Sequence, residues 1–177
     1  MSKKGITLFL IGIISLTAIF FAFRREKQTT TEYLRIHVRA NSNVQADQTV
    51  KYEIRDRLVE FLTPYIAQCE SKEQAISQLK SLCERMTKIA NDCLAEKGFS
   101  YRAKTEIRQE YFPTRVYDGE CLSEGVYDSV IVELGNAEGD NWWCVVYPPL
   151  CFYSESTPVR FKSKIAEIIR RFKEKRK

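Results

Sequence analysis

The sequence predicts an α+β domain: an antiparallel sheet of about four strands, two helices packed on one of its faces, an N-terminal transmembrane or signal helix ahead of it and a basic helix behind it. Three patterns carry that prediction. Residues 5–23 contain no charged side chain. Apolar and polar residues alternate over residues 33–40, and again in separate runs after Gly98. Between those runs, apolar residues recur at intervals of three and four. A period of two marks a strand with two unlike faces, and a period near 3.6 marks an amphipathic helix.

The first element is the apolar run. Lys3 and Lys4 precede residues 5–23, and Arg24, Arg25 and Lys27 close them off. At about 1.5 Å per residue, such a run spans roughly 28 Å, near the thickness of a bilayer's hydrocarbon core. It is longer than the usual hydrophobic region of a cleaved signal, and no small-x-small site precedes Arg24. Residues 1–27 are therefore expected to act as a signal peptide or membrane anchor that carries the rest of the chain outward. Residues 28–32, with three threonines, form a polar tether.

The domain proper covers residues 33–156. Leu34, Ile36, Val38 and Ala40 define the inner face of the first strand, and Arg35, His37 and Arg39 its expected wet face. Asn41, Ser42 and Asn43 break it with turn chemistry. Asp47 is the expected N-cap of a helix running to about Tyr65, with Val50, Ile54, Leu58, Phe61 and Leu62 on its apolar stripe. Ser71 and Gln74 form a capping box for a second helix, which Gly98 terminates. Strands follow at residues 101–107, 127–134 and 141–147. Residues 113–125 are expected as a loop and residues 135–140 as a turn. Residues 157–177 form a basic amphipathic helix with Ile165, Ile168, Ile169 and Phe172 as its stripe.

Composition limits the function classes. With 177 residues, 44% of them hydrophobic, the chain can bury one core. Its 7 Gly and 5 Pro exclude collagen-like or linker-dominated architectures. The net charge of +5 is unevenly spread: +4 over residues 1–27, −6 over 28–156 and +7 over 157–177. An acidic body argues against a nucleic-acid-binding face. The basic tail is either a solvated helix end or a contact for anionic lipid.

The six cysteines leave several possibilities. Cys83 and Cys93 lie on one helix, too far apart along its axis to bridge each other. Cys144 and Cys151 flank Pro148-Pro149, and a chain that folds back there brings the two sulfurs within reach. There is no Cys-x-x-Cys pair and one histidine, so zinc is not expected, and no phosphate-binding glycine loop is present. His37 could serve a thiol only with a third group to orient it and donors for an oxyanion. The simpler role is a solvent-facing or hydrogen-bonded strand residue. Asp56 and Asp47 sit beside Lys51, Arg55 and Arg57, which fits a surface ion-pair ladder. Nothing calls for a cofactor or a catalytic residue.

Two strings are distinctive. One is Leu34-Arg35-Ile36-His37-Val38-Arg39-Ala40-Asn41-Ser42, followed by Asp47-Gln48, Lys51 and Arg55-Asp56. The other runs from Gly139-Asp140-Asn141-Trp142-Trp143-Cys144 through Pro148-Pro149-Leu150-Cys151-Phe152. Phe112-Pro113-Thr114-Arg115-Val116-Tyr117 and Gly125-Val126-Tyr127 stand between them. In this order they closely resemble the stage II sporulation protein R family of endospore-forming Firmicutes. Arg39 stands where that family usually has an aliphatic residue, and Asn43 where aspartate is common.

The resemblance implies a signalling protein and not an enzyme. It implies export from the forespore across its membrane into the intermembrane space, either secreted or anchored. There the partner is a membrane-embedded aspartic protease of the mother cell, which processes pro-sigma-E. Such a signal works only by binding the active state of its target better than the resting state. A shift from 1:99 to 99:1 needs roughly 5.5 kcal/mol of preference, the scale of a few desolvated aromatic or arginine anchors. Trp142 and Trp143 point to opposite faces of a regular strand, so the outward one is the first anchor candidate. Arg115, near Tyr111, Phe112 and Tyr117, is the second. His37, Asn41, Asp47, Gln48, Arg55 and Asp56 form either a contact surface or a network that pins the first strand to the first helix. An extracytoplasmic thiol hydrolase and a structural envelope protein using its basic tail on anionic lipid are the alternatives.

Overall fold

The computed structural model describes residues 32–117, 119–153 and 157–175. The apolar run, most of the tether and the chain's last two residues lie outside this set. Among the described residues, no helix is long and apolar enough to cross a membrane. The element order is β1 (Leu34–Arg39), α1 (Gln45–Ile66), α2 (Lys72–Glu96), β2 (Ala103–Phe112), β3 (Arg115–Tyr117), β4 (Glu120–Leu122), β5 (Gly125–Leu134), β6 (Asn141–Tyr147), a 3-10 turn (Leu150–Phe152) and α3 (Val159–Lys175).

The main sheet has the order β2-β5-β1-β6. It is mixed, which corrects the antiparallel expectation. β5 pairs antiparallel with β2, and β1 pairs antiparallel with β6, but β1 and β5 are parallel. The cause lies in residues 135–140. A tight hairpin there would make β5 and β6 neighbours. Instead the link steps over the end of β1: Gly139 N–H donates to the Ala40 carbonyl at 2.9 Å and Glu138 N–H to the Asn41 carbonyl at 3.2 Å. β1 thus lies between two strands of opposite direction and must be parallel to one of them. Gly135 has φ +57, and a Cβ on it would overlap the Asn41 side chain; one on Gly139 would overlap the Ser42 carbonyl. Only glycine lets the link pass this close.

α1 and α2 cover one face of the sheet. Val50, Ile54, Leu58 and Leu62 of α1 and Leu79, Met86 and Ala90 of α2 are buried in one core with Ile36, Val38, Val130 and Val132. α1 begins two residues before Asp47, which is not its N-cap. Val44 holds that position without a side-chain bond, and Asp47 lies in the first turn with its carboxylate engaged elsewhere. Pro64 sits inside the last turn, and the helix runs to Ile66. α2 follows the sequence closely. Ser71 Oγ accepts from Gln74 N–H at 3.2 Å, and Gln74 Oε1 accepts from Glu70 N–H at 2.8 Å. It ends at Gly98 with φ +78, where Phe99 N–H reaches the Leu94 carbonyl at 2.9 Å.

The other face of the sheet is not wet. Arg35 and His37 are fully buried there, beside buried Ser129, Ile131 and Val145. The expected loop over residues 113–125 contains the β3–β4 hairpin, in which Arg115 pairs with Leu122 and Tyr117 with Glu120. Strands of three residues hold too few positions to display a period. α3 buries Ile165, Ile168 and Phe172. Phe172 places its ring 5.1 Å from Tyr33 and 6.3 Å from Tyr147, so α3 stands at the end of the sheet where β1 begins and β6 finishes.

Candidate partner-binding surfaces

β1 aims Arg35, His37 and Arg39 at the second face of the sheet, and β2, β5 and β6 bring an aromatic and ionic lining to meet them. His37 lies 4.8 Å from the Trp143 ring and 5.3 Å from the Phe112 ring. Among the described residues, neither of its ring nitrogens has a hydrogen-bond partner. Burial, reinforced by the Arg39 charge, lowers its pKa from 6.5 to about 3. The imidazole is neutral at any physiological pH. This corrects its expected place among solvent-facing polar residues. The Arg35 guanidinium stands 4.2 Å from the Phe112 ring centre and 4.8 Å from that of Tyr127. It donates from Nη2 to the Tyr117 hydroxyl at 2.8 Å. Cation–π contact in a water-poor site replaces part of its lost hydration. Arg39 pairs with Glu110 and Glu133, and Arg108 with Glu106, Glu110 and Glu133.

Asn41, Asp47 and Gln48 come together at the far end of β1. The Asp47 carboxylate accepts from Asn41 Nδ2 at 2.8 Å, Ser42 Oγ at 2.6 Å and the Tyr101 hydroxyl at 2.7 Å. Its burial acts against these bonds, and the net result is a lowered pKa. Gln48 Nε2 donates to the Ser42 carbonyl at 2.9 Å. Lys51, also buried, donates to the Asp140 carbonyl at 2.9 Å, and burial lowers its pKa. These bonds tie the end of β1 and the segments leading into β2 and β6 to the first two turns of α1. His37 is not part of this group, because it lies on the opposite face of the sheet.

Trp142 and Trp143 do point to opposite faces, and both are half-buried. Trp143 is walled in by His37 and Phe112. Trp142 faces the helix side, with the Arg55 guanidinium 5.6 Å from its ring. The same guanidinium lies 4.9 Å from the Tyr52 ring and 2.7 Å from Asp56 Oδ1. Tyr52 is 44% exposed, and Asp56 is exposed as well. Trp142, Arg55, Tyr52 and Asp56 therefore form one accessible aromatic and charged patch. Arg115 is exposed on the β3–β4 hairpin, apart from that patch, and donates from Nη1 to the Thr114 carbonyl at 3.5 Å.

Sequence reasoning singled out neither Arg35 as a buried cation nor Tyr52 as a patch member. Tyr52 carried a usable signal, since it lies off the apolar stripe of α1 and three residues from Arg55. Arg35 carried none, because an alternating strand looks the same whether its polar face meets water or aromatic rings.

Cys144 and Cys151 are joined in a disulfide with their Cα atoms 6.2 Å apart. The chain does fold back at Pro148-Pro149. Bridged sulfurs are not thiolates, and Cys144 points away from the face that holds His37. A Cys–His dyad at this place is not assembled.

The comparisons bear on what this arrangement belongs to. No solved structure matches the chain. Stage II sporulation protein R of Bacillus subtilis (strain 168) is 32% identical over 119 residues, which cover 67% of this chain and 53% of that relative. The chain thus spans about half the length of the curated relative it matches. A family model described as "Stage II sporulation protein R" matches residues 30–157, a stretch that begins just ahead of β1 and takes in the His37 row, the Asp47 network, the Trp142 patch and the disulfide. With the sheet, both helices and the bridged turn inside that match, the chain belongs to the stage II sporulation protein R family.

Proposed function

We propose that this chain is a sporulation signal, exported by residues 1–27 from the forespore into the intermembrane space, which activates a membrane-embedded aspartic protease of the mother cell that processes pro-sigma-E. The Trp142 patch is the contact. One observation supports this choice above the other candidates: Trp142, Arg55 and Tyr52 combine accessible aromatic surface with a cation already oriented over two rings. Aromatic and arginine side chains in such clusters carry most of the energy at protein interfaces. His37 is enclosed, the Trp143 ring packs against His37 and Phe112, and the bonds of Asn41, Asp47 and Gln48 run to groups within this chain.

The test is Trp142→Ala in sporulating cells, with pro-sigma-E conversion as the readout. Loss of an anchor worth about 2 kcal/mol weakens binding roughly thirtyfold, and conversion falls accordingly. A variant that is exported, keeps its unfolding transition and still gives wild-type conversion rejects the patch as the contact. Arg55→Ala serves as the second arm, because it removes the cation and leaves the edge strand intact.

A further inference from the structure

The positive end of this chain is organised beyond what its composition requires. On α3, Arg160, Lys164, Arg171 and Lys175 follow one another at intervals of four, seven and four residues. At 3.6 residues per turn they fall on one flank, in a line roughly 22 Å long. All four are exposed. Glu167 and Glu174 stand beside the line, and Arg171 keeps a loose 3.6 Å pairing with Glu167. Lys173 lies on the other flank, 3.8 Å from Glu120 of the body. The helix therefore buries Ile165, Ile168 and Phe172 and carries an exposed cationic stripe along the flank beside them.

Two further observations bear on what the stripe meets. A cleft of about 250 Å³ opens along it, with Lys164, Ile168 and Arg171 on one side and Gln68 and Glu70 of the α1–α2 turn on the other. Lys164 and Arg171 are two helical turns apart, so the cleft has a cation toward each end, and the carboxylates of Glu70 and Glu167 also line it. The other observation is where the described chain starts. Tyr33 packs on Phe172 of this same helix. The nine residues 24–32 that join Tyr33 to the apolar run reach at most about 30 Å when fully extended. Helix α3 thus lies at the end of the domain from which the tether leaves.

We propose that α3 lies on an anionic lipid bilayer, with Arg160, Lys164, Arg171 and Lys175 in contact with its headgroups. The occupant is a lipid surface because the stripe is long, straight and spread over four turns, which suits a plane of charges. Each basic side chain held at such a surface raises its occupancy roughly fivefold, and the gain disappears once salt shortens the Debye length to about 3 Å. The docking does not depend on the Trp142 patch or on any protein partner.

Acetylation footprinting of the full chain, mixed with phosphatidylcholine vesicles with or without phosphatidylglycerol, tests this directly. Lys164 and Lys175 are the reporters, and Lys88 and Lys104, exposed on the body, are the references. Anionic vesicles are expected to slow modification of Lys164 and Lys175 about tenfold relative to neutral vesicles, with Lys88 and Lys104 unchanged and the protection gone at about 1 M salt. The R160E/R171E variant leaves both reporters in place and is expected to bring the slowing below about twofold. Equal modification with both kinds of vesicle overturns the proposal. So does protection that survives in R160E/R171E. Pro-sigma-E conversion in that variant reports separately on the signalling contact.

Discussion

His37 shows how far a single residue can depart from its place in a pattern. It occupies a polar position in an alternating strand, yet it is enclosed by Phe112 and Trp143 with no partner for either nitrogen among the described residues. Its folded pKa of about 3 lies below the ordinary 6.5, so from about pH 6.5 down to about pH 3 the unfolded chain binds a proton that the folded chain refuses. Stability is fully present above that window and falls as the pH drops through it. Between about pH 7 and pH 5 the loss from this one group is about 2 kcal/mol. His37→Leu removes it. Urea unfolding at those two pH values is expected to show the wild-type chain losing that much more than the variant, and parallel losses would show the imidazole to be solvated after all. Asp47, Glu110 and Asp128, whose pKa values are all lowered, lose their contributions at more acidic pH in both proteins.

Among the elements, those with local causes were legible and those with non-local causes were not. α2 is written out by Ser71, Gln74 and Gly98, because caps act over four residues. The disulfide was legible as a fold-back at Pro148-Pro149. The parallel pairing of β1 with β5 was hidden, since it depends on residues 135–140 crossing an element 95 residues earlier, between Asn41 and Asn136. The burial of the second face depends on rings from four other strands. Of the surface candidates, Trp142 and Arg55 met as a patch only once β6 took its place beside α1. The bridge between Cys144 and Cys151 closes a short loop on the edge strand β6, and Cys151 Sγ sits 3.0 Å from Val145 N. Closing a loop of this size contributes roughly 2–3 kcal/mol. The double variant Cys144→Ser, Cys151→Ser is expected to lose that amount in denaturant unfolding, and wild-type chains treated with reductant should match it. A variant as stable as the oxidised protein would mean that the bridge adds nothing to the fold.

At the scale of the whole molecule, the described residues belong to one compact unit, Thr31–Lys177, and α3 is part of it. Phe172 is buried against Tyr33 and Tyr147, at the two strands that hold the centre and the edge of the sheet. Phe172→Ala is expected to cost about 3 kcal/mol of global stability, read as a shift of a single unfolding transition. A separate early transition for α3, with the body unchanged, would show the helix to be an appendage. The charge partition seen along the chain reappears as geography. The cations of α3 gather at one end of the sheet, and the Trp142 patch and the Asp47 network lie at the other.

Six or seven strand residues separate those ends, about 20 Å along β1 and β6. A body that docked on lipid through α3 with its sheet upright would lift Trp142 clear of that surface by most of its own height. It would then behave like a short pier, with its foundation in one shore and its landing stage facing the opposite one.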